Sequence, residues 1–117
     1  MTWYDTSHLR YTRSLFATWL AEGYVRLGRM DQARSLLEDV LATCRELGYR
    51  HLEGIARRLL TECLRATAPA AATQHVREAV SILESVDAKN ELAKAWLLAT
   101  TFENDLVDSS RLAATRE

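Results

Sequence analysis

One proline, four glycines and two cysteines are all that 117 residues provide for turns and cross-links, and each scarcity removes a class of fold. β-structure needs turn residues at short intervals. Here Pro69 and the glycines fit helix ends or a close helix crossing, and no strand-like alternation survives. Cys44 and Cys63 have no close Cys or His at zinc-ligand spacing, which excludes a zinc module, and a cytosolic setting keeps such thiols reduced. A formal net charge of -1 supplies no long-range field toward phosphate backbones or anionic lipid, so neither nucleic acid nor membrane is an expected partner. No segment approaches eighteen uninterrupted apolar residues, and Met1-Thr2-Trp3-Tyr4-Asp5 lacks the basic start of a signal peptide. A cytoplasmic location is expected. Lysine is scarce, with only Lys89 and Lys94 against thirteen arginines, a bias expected of a high-GC bacterial genome.

What is present is the composition of an ordinary soluble domain, 48% hydrophobic and 26% charged. The length suits one domain with a continuous core. Within it an internal repeat runs at a 39-residue period without gaps. Shifting the chain by that period aligns Ala17 with Ala56 and Ala95, Leu20 with Leu59 and Leu98, Ala21 with Leu60 and Ala99, and Tyr24 with Cys63 and Phe102. The spacing is i, i+3, i+4, i+7, one face of a helix. A second set obeys the same shift: Ala33 with Ala72, Leu37 with Val76, Val40 with Ala79, Leu41 with Val80, Cys44 with Leu83 and Leu47 with Val86. Each unit therefore contains two helices, and each pair needs its neighbours to complete a core.

Gly28-Arg29-Met30-Asp31 reads as a helix stop followed by an Asp N-cap, and Pro69 marks the equivalent turn of the second unit. Five main helices follow, near residues 6–28, 31–47, 51–67, 71–86 and 90–106. They form one all-α domain over 1–108, with units near 6–48 and 51–87, a half unit at 90–106, and a tail at 109–117 expected to fray. Leu20, Leu59, Leu98, Tyr24 and Phe102 are expected to fill the core between small residues at Ala17, Ala21, Ala56, Ala95 and Ala99.

The segment Leu20-Ala21-Glu22-Gly23-Tyr24-Val25-Arg26-Leu27-Gly28-Arg29-Met30-Asp31-Gln32-Ala33 resembles a tetratricopeptide repeat. That family's signature has a Leu, a small residue, an aromatic three positions on, a Leu-Gly-Arg turn and an Ala opening the second helix. The family's closing Pro is replaced here by continuing helix, Arg45-Glu46-Leu47-Gly48. The longer variant is similar to repeats in the C-terminal regions of bacterial signalling ATPases, nucleotide cyclases and maltose-regulator-type activators, and Leu83-Glu84-Ser85-Val86-Asp87-Ala88-Lys89-Asn90-Glu91-Leu92-Ala93-Lys94-Ala95 resembles the final unit there. The resemblance implies a right-handed superhelix of antiparallel hairpins that serves as a non-catalytic interaction module, binding a peptide or helix of a partner protein in bacterial signalling or transcriptional regulation.

In stacked hairpins the first helix of each unit lines the concave side. Counted from the aligned leucines, its outward positions are Leu15, Thr18, Glu22, Val25 and Arg26, then Gly54, Arg57, Thr61 and Arg65, then Ala93, Trp96, Thr100 and Asn104. The expected partner contacts are Thr18, Glu22, Arg26, Arg57, Thr61, Arg65, Trp96 and Thr100. Trp96 beside Arg57 and Arg65 would join an aromatic anchor to charge-assisted contacts with a carboxylate. The competing reading packs Trp96 under the final helix or against a homodimer partner and leaves the arginines solvated. The family's carboxylate clamp of Lys and Asn residues is absent, because Thr18, Glu22, Arg57 and Thr61 stand at several of its places. Trp3, Tyr4, Tyr11, Phe16 and Trp19 crowd the first stretch and are expected to cover the open side of the first hairpin, or to form a homo-oligomerisation patch.

No catalytic or cofactor chemistry is indicated. His8, His51 and His75 lack the i, i+4 pairing of a two-His metal site, and His75 aligns with Leu36 at the edge of the core. Cys44 and Cys63 align with apolar residues and read as core. Glu38, Asp39, Glu46 and Glu78 read as solvated helix faces. Gly23 and Gly28 lack the strand-loop-helix context of a phosphate loop. No cofactor and no metal is expected.

Overall fold

The computed structural model describes residues 3–101, and every described element is helical. The helices are α1 (Trp3–Arg26), α2 (Met30–Leu47), α3 (Arg50–Leu64) and α4 (Pro69–Ser85). Residues 89–101 form α5, which reaches the limit of the described residues. Links of three or four residues join α1 to α2 and α3 to α4, short enough to fold each pair back as an antiparallel hairpin. α1 packs on α2, α2 on α3 and α3 on α4, and α1 also reaches α3.

The 39-residue period is written into the backbone hydrogen bonds. Ala33 N–H donates to Arg29 O at 3.1 Å and Ala72 N–H to Ala68 O at 3.0 Å, opening the second helix of each unit. Tyr49 N–H donates to Cys44 O and Ala88 N–H to Leu83 O, both at 3.0 Å, closing those helices. Glu53 N–H to Tyr49 O and Leu92 N–H to Ala88 O repeat the opening of the next first helix. Each closing bond is a six-to-one link of the kind that satisfies the last carbonyls of a helix, and it requires a left-handed residue at the turn. Gly48 supplies it at φ 78°, and Asp87, 39 residues later, does so at φ 56°.

The core follows the aligned positions. Ala33 and Ala72, Leu37 and Val76, Val40 and Ala79, and Cys44 and Leu83 are all buried. Ala21, Leu52, Ala56, Leu59, Leu60 and Cys63 complete the cluster between the first three helices, while Ala79, Leu83 and Ala95 begin a second, and Ile55 packs against both. One continuous apolar seam therefore runs across the unit boundary, as stacking requires.

Three expectations are corrected. Leu20 is 52% exposed where its equivalent Leu59 is 1% exposed. In α3 that position docks on the preceding hairpin, and among the described residues nothing precedes α1. Asp31 is not an N-cap: α2 starts one residue earlier, Arg29 holds the cap position, and Asp31 lies in the first turn, where its charge favours the helix dipole. α3 ends at Leu64 rather than 67. Pro69 biases Ala68 out of the helical region, to φ -142°, and the chain needs residues 65–68 to reverse. Pro69 takes the first helical position, where its missing N–H costs no bond. Phe102 and the 109–117 tail lie outside the described residues.

Candidate partner-binding surface

The first-type helices α1, α3 and α5 share one face, and ion pairs stitch it together. The Arg58 guanidinium on α3 has its Nη2 3.2 Å from Glu91 Oε2 on α5 and 4.0 Å from Glu22 Oε2 on α1. Lys94 Nζ approaches the other Glu91 oxygen at 3.4 Å, and Arg26 holds Glu22 at 2.9 Å. Arg58 is buried, and its Nε–H finds no acceptor among the described residues. A buried guanidinium donor left open is costly unless something completes it.

Helical spacing sets what else lies on this face. Phe16, Ile55 and Lys94 are equivalent under the 39-residue shift, as are Trp19, Arg58 and Leu97, and Gly23, Glu62 and Thr101. Phe16 and Trp19 are 58% and 57% exposed, and their rings meet edge-on at 5.3 Å. They therefore do not close the first hairpin; Tyr11 does part of that work by stacking edge-on against Tyr49 at 5.0 Å. At the other end of the face, a cavity of about 310 Å³ is lined by Arg58, Glu62, Arg65, Lys94, Leu97, Leu98 and Thr101. Aromatic area at one end and mixed charge over leucines at the other are ingredients of a protein-binding surface.

The expected contacts divide. Glu22, Arg26 and Arg65 lie on or beside this face, half-buried or exposed. Thr18 and Thr61 do not face outward: they are 2% and 0% exposed, and their hydroxyls donate back to Ser14 O and Arg57 O. Short side chains that satisfy themselves one turn back fit where helices pack closely. Trp96 and Thr100 are exposed, but on the side of α5 turned away from α3. Asn104 is outside the described residues. The proposed grouping of Trp96 with Arg57 and Arg65 is not formed, because Arg57 and Arg65 line different cavities.

Arg57 instead floors a groove between α2 and α4. Its Nε–H donates to Glu53 at 3.2 Å, its Nη1 pairs with Glu78, and the same Nη1 lies 3.2 Å from His75 Nδ1. Because a guanidinium only donates, that ring nitrogen must accept, which makes His75 the neutral tautomer with its proton on Nε2. Burial lowers the His75 pKa, and the adjacent Arg57 charge lowers it further. Two adjoining cavities, of about 420 and 360 Å³, share Arg45, Arg57 and Glu78. Glu78 is thus an ion-pair partner rather than a purely solvated carboxylate.

Burial pushes both the Cys44 and Cys63 thiols up to about 11, and neighbouring glutamates add to the shift, so neither is a thiolate near neutrality. Among the described residues no three His, Cys, Asp or Glu side chains gather closely enough to hold a metal ion, and no helix is long and apolar enough to cross a membrane.

Arg58, Glu62, Lys94 and Leu97, which line the cavity on this face, each stand one position after Arg57, Thr61, Ala93 and Trp96, which the sequence reading placed outward. On α3, Leu52, Ala56, Leu59 and Cys63 mark one buried side, and His51, Arg58 and Glu62 are the polar residues on its flank.

No curated protein and no solved structure matches the chain significantly. A tetratricopeptide-repeat family model matches residues 11–85, more than half of the chain and the span that includes α2, α3, α4 and most of α1. With the repeated hairpins, the repeated caps and the shared seam, this places the chain in the tetratricopeptide-repeat family.

Proposed function

We propose that this protein recognises a partner protein on the concave side of its hairpin stack, the face shared by α1, α3 and α5, and that the ligand is a peptide segment or helix. The family's general role in protein–protein interaction supports the class of function. The observation that carries the choice of face is the exposed Phe16–Trp19 pair lying on the same helical stripe as Arg58 and Lys94. Aromatic rings supply anchor area at small entropic cost, and the exposed Lys94 ammonium lining the cavity offers a donor to a ligand carboxylate or carbonyl. Glu22, Arg26 and Arg65 frame the same surface. The proposed role is that of a non-catalytic scaffold in bacterial signalling or transcriptional regulation in the cytoplasm, a reading supported by the resemblance of residues 83–95 and by the arginine-rich, lysine-poor composition expected of a high-GC bacterial genome.

The experiment is affinity capture with the intact chain, run in parallel with Trp19→Ala, Arg58→Gln and, as an outer-groove control, Arg45→Glu. Loss of one defined partner in the first two and its retention in the third supports the assignment. Retention in both first variants, or loss only with Arg45→Glu, moves the site to the α2–α4 groove.

A further inference from the structure

The groove between α2 and α4 plays no part in the proposed partner face. Both helices pack on α3, which floors the groove. The two adjoining cavities there measure about 420 and 360 Å³, and none of their lining residues lines the cavity between α3 and α5. The larger one falls within the size range of small-molecule sites.

The charges of this larger cavity do not cancel. Arg45, Arg50 and Arg57 line it against Glu53 and Glu78. Both carboxylates are already occupied. Glu53 takes Arg50 on one oxygen at 3.4 Å and Arg57 on the other at 3.2 Å. Glu78 takes Arg57 on one oxygen and the Gln74 amide on the other. Arg45 lines both cavities and has no hydrogen-bond or ion-pair partner among the described residues. Its place in the last turn of α2 favours the helix dipole, which accounts for its charge and leaves its N–H donors open. Arg50 spends only Nη1, on one long contact, and the exposed Ser81 adds a hydroxyl. The lining thus offers donors and one uncancelled positive charge.

We infer that this cavity binds a phosphate group, free or carried by a small molecule, between Arg45 at the end of α2 and Arg50 at the start of α3. Two guanidinium forks on different helices call for an anion with oxygens in more than one direction. A carboxylate holds its two oxygens in one plane and is satisfied by a single fork, whereas a phosphate ester presents three oxygens around a tetrahedron. Its negative charge answers the surplus of the lining. The cavity also exceeds what a phosphate ion fills, and the buried Cys44 and Ile82 give a carrier group an apolar wall.

Amide NMR of the full chain, titrated at constant ionic strength with inorganic phosphate, glycerol 3-phosphate or succinate, tests this. Saturable shifts at millimolar phosphate, centred on residues 45–50 and Ser81, are expected. Tighter binding of the ester identifies a phosphorylated small molecule as the ligand, and equal binding identifies the phosphate ion itself. Arg45→Gln and Arg50→Gln are each expected to weaken binding about tenfold, the loss of one charge-assisted hydrogen bond. Arg45 is exposed and makes no contact of its own to lose, so its replacement leaves the fold intact. Arg77→Gln removes an equal charge from the exposed side of α4, outside both cavities, and is expected to leave the affinity unchanged. The absence of saturable shifts overturns the inference, as does succinate binding as tightly as phosphate. So does an affinity that is unmoved by Arg45→Gln and Arg50→Gln, or lowered as much by Arg77→Gln. No partner protein enters the titration, so its failure leaves the proposed partner face standing.

Discussion

Gly48 and Asp87 stand one repeat apart and hold the same left-handed turn, at φ 78° and 56°. Glycine takes that conformation without penalty, whereas a side chain resists it and Asp is only among the better tolerated. Asp87→Gly is therefore expected to stabilise the fold by roughly 0.5–1 kcal/mol, and Gly48→Ala to destabilise it by about 1 kcal/mol. Nothing lies within 4 Å of a Cβ placed at Gly48, so the cost there is backbone alone. Urea midpoints at constant slope measure both.

Two other glycines respond oppositely to the same change. A Cβ at Gly54 would lie 2.6 Å from Leu83 Cδ2 and Cγ, and Leu83 is fully buried and cannot swing away. Gly54→Ala is expected to lose about 1–3 kcal/mol by forcing α3 from α4. Gly23, within α1, has nothing within 4 Å, and Gly23→Ala is expected to gain up to about 1 kcal/mol from helix propensity. Thermal or urea unfolding of the two variants, side by side, checks the contrast.

The Glu53–Arg57 pair is the most deeply buried ion pair among the described residues, with side chains 6% and 9% exposed. Removing Arg57 alone leaves Glu53 buried with only the longer Arg50 contact at 3.4 Å. Arg57→Met is expected to cost about 3 kcal/mol or more, and Glu53→Gln with Arg57→Met much less than the sum of the single changes. A double-mutant cycle in urea reads the coupling. Simple additivity would show that the network contributes nothing to how the hairpins dock.

His75 gives stability a pH dependence of definite sign. Its folded-state pKa lies below the ordinary value of 6.5, so the unfolded chain takes up the proton first. Its contribution is complete above about pH 6.5 and is lost as pH falls through that value toward the folded-state pKa. His75→Leu, the residue its equivalent Leu36 already uses, is expected to flatten the stability profile in that window. Unfolding midpoints between pH 5 and 8 measure the difference in slope.

The repeat was legible because it is carried by apolar residues whose spacing survives substitution: Ala33 and Ala72, or Cys44 and Leu83, predict each other's burial. Leu20 and Trp96 were not legible in the same way. Each obeys the repeat pattern, but its burial depends on a neighbouring helix that no described residue provides, so equal sequence positions meet unequal surroundings. The outward positions expected on α3 differ by one residue from those that line the shared face, for a related reason. Counting outward from Leu59 treats a helix as having one buried side, whereas α3 is covered before and behind and exposes only the narrow stripe near His51 and Glu62. Thr61 and Arg57 fall on the covered flank, and Arg58 beside the open stripe.

The proposed docking site is the face shared by α1, α3 and α5. Amide hydrogen exchange of the intact chain, with and without its captured partner, tests this helix by helix. Slowed exchange around Phe16–Trp19, Arg58–Glu62 and Lys94–Leu97, with α2 and the outer side of α4 unchanged, is the predicted result. Protection centred on α2 and on the Gln74–Glu78 stretch of α4, with the first-type helices unaffected, would contradict it.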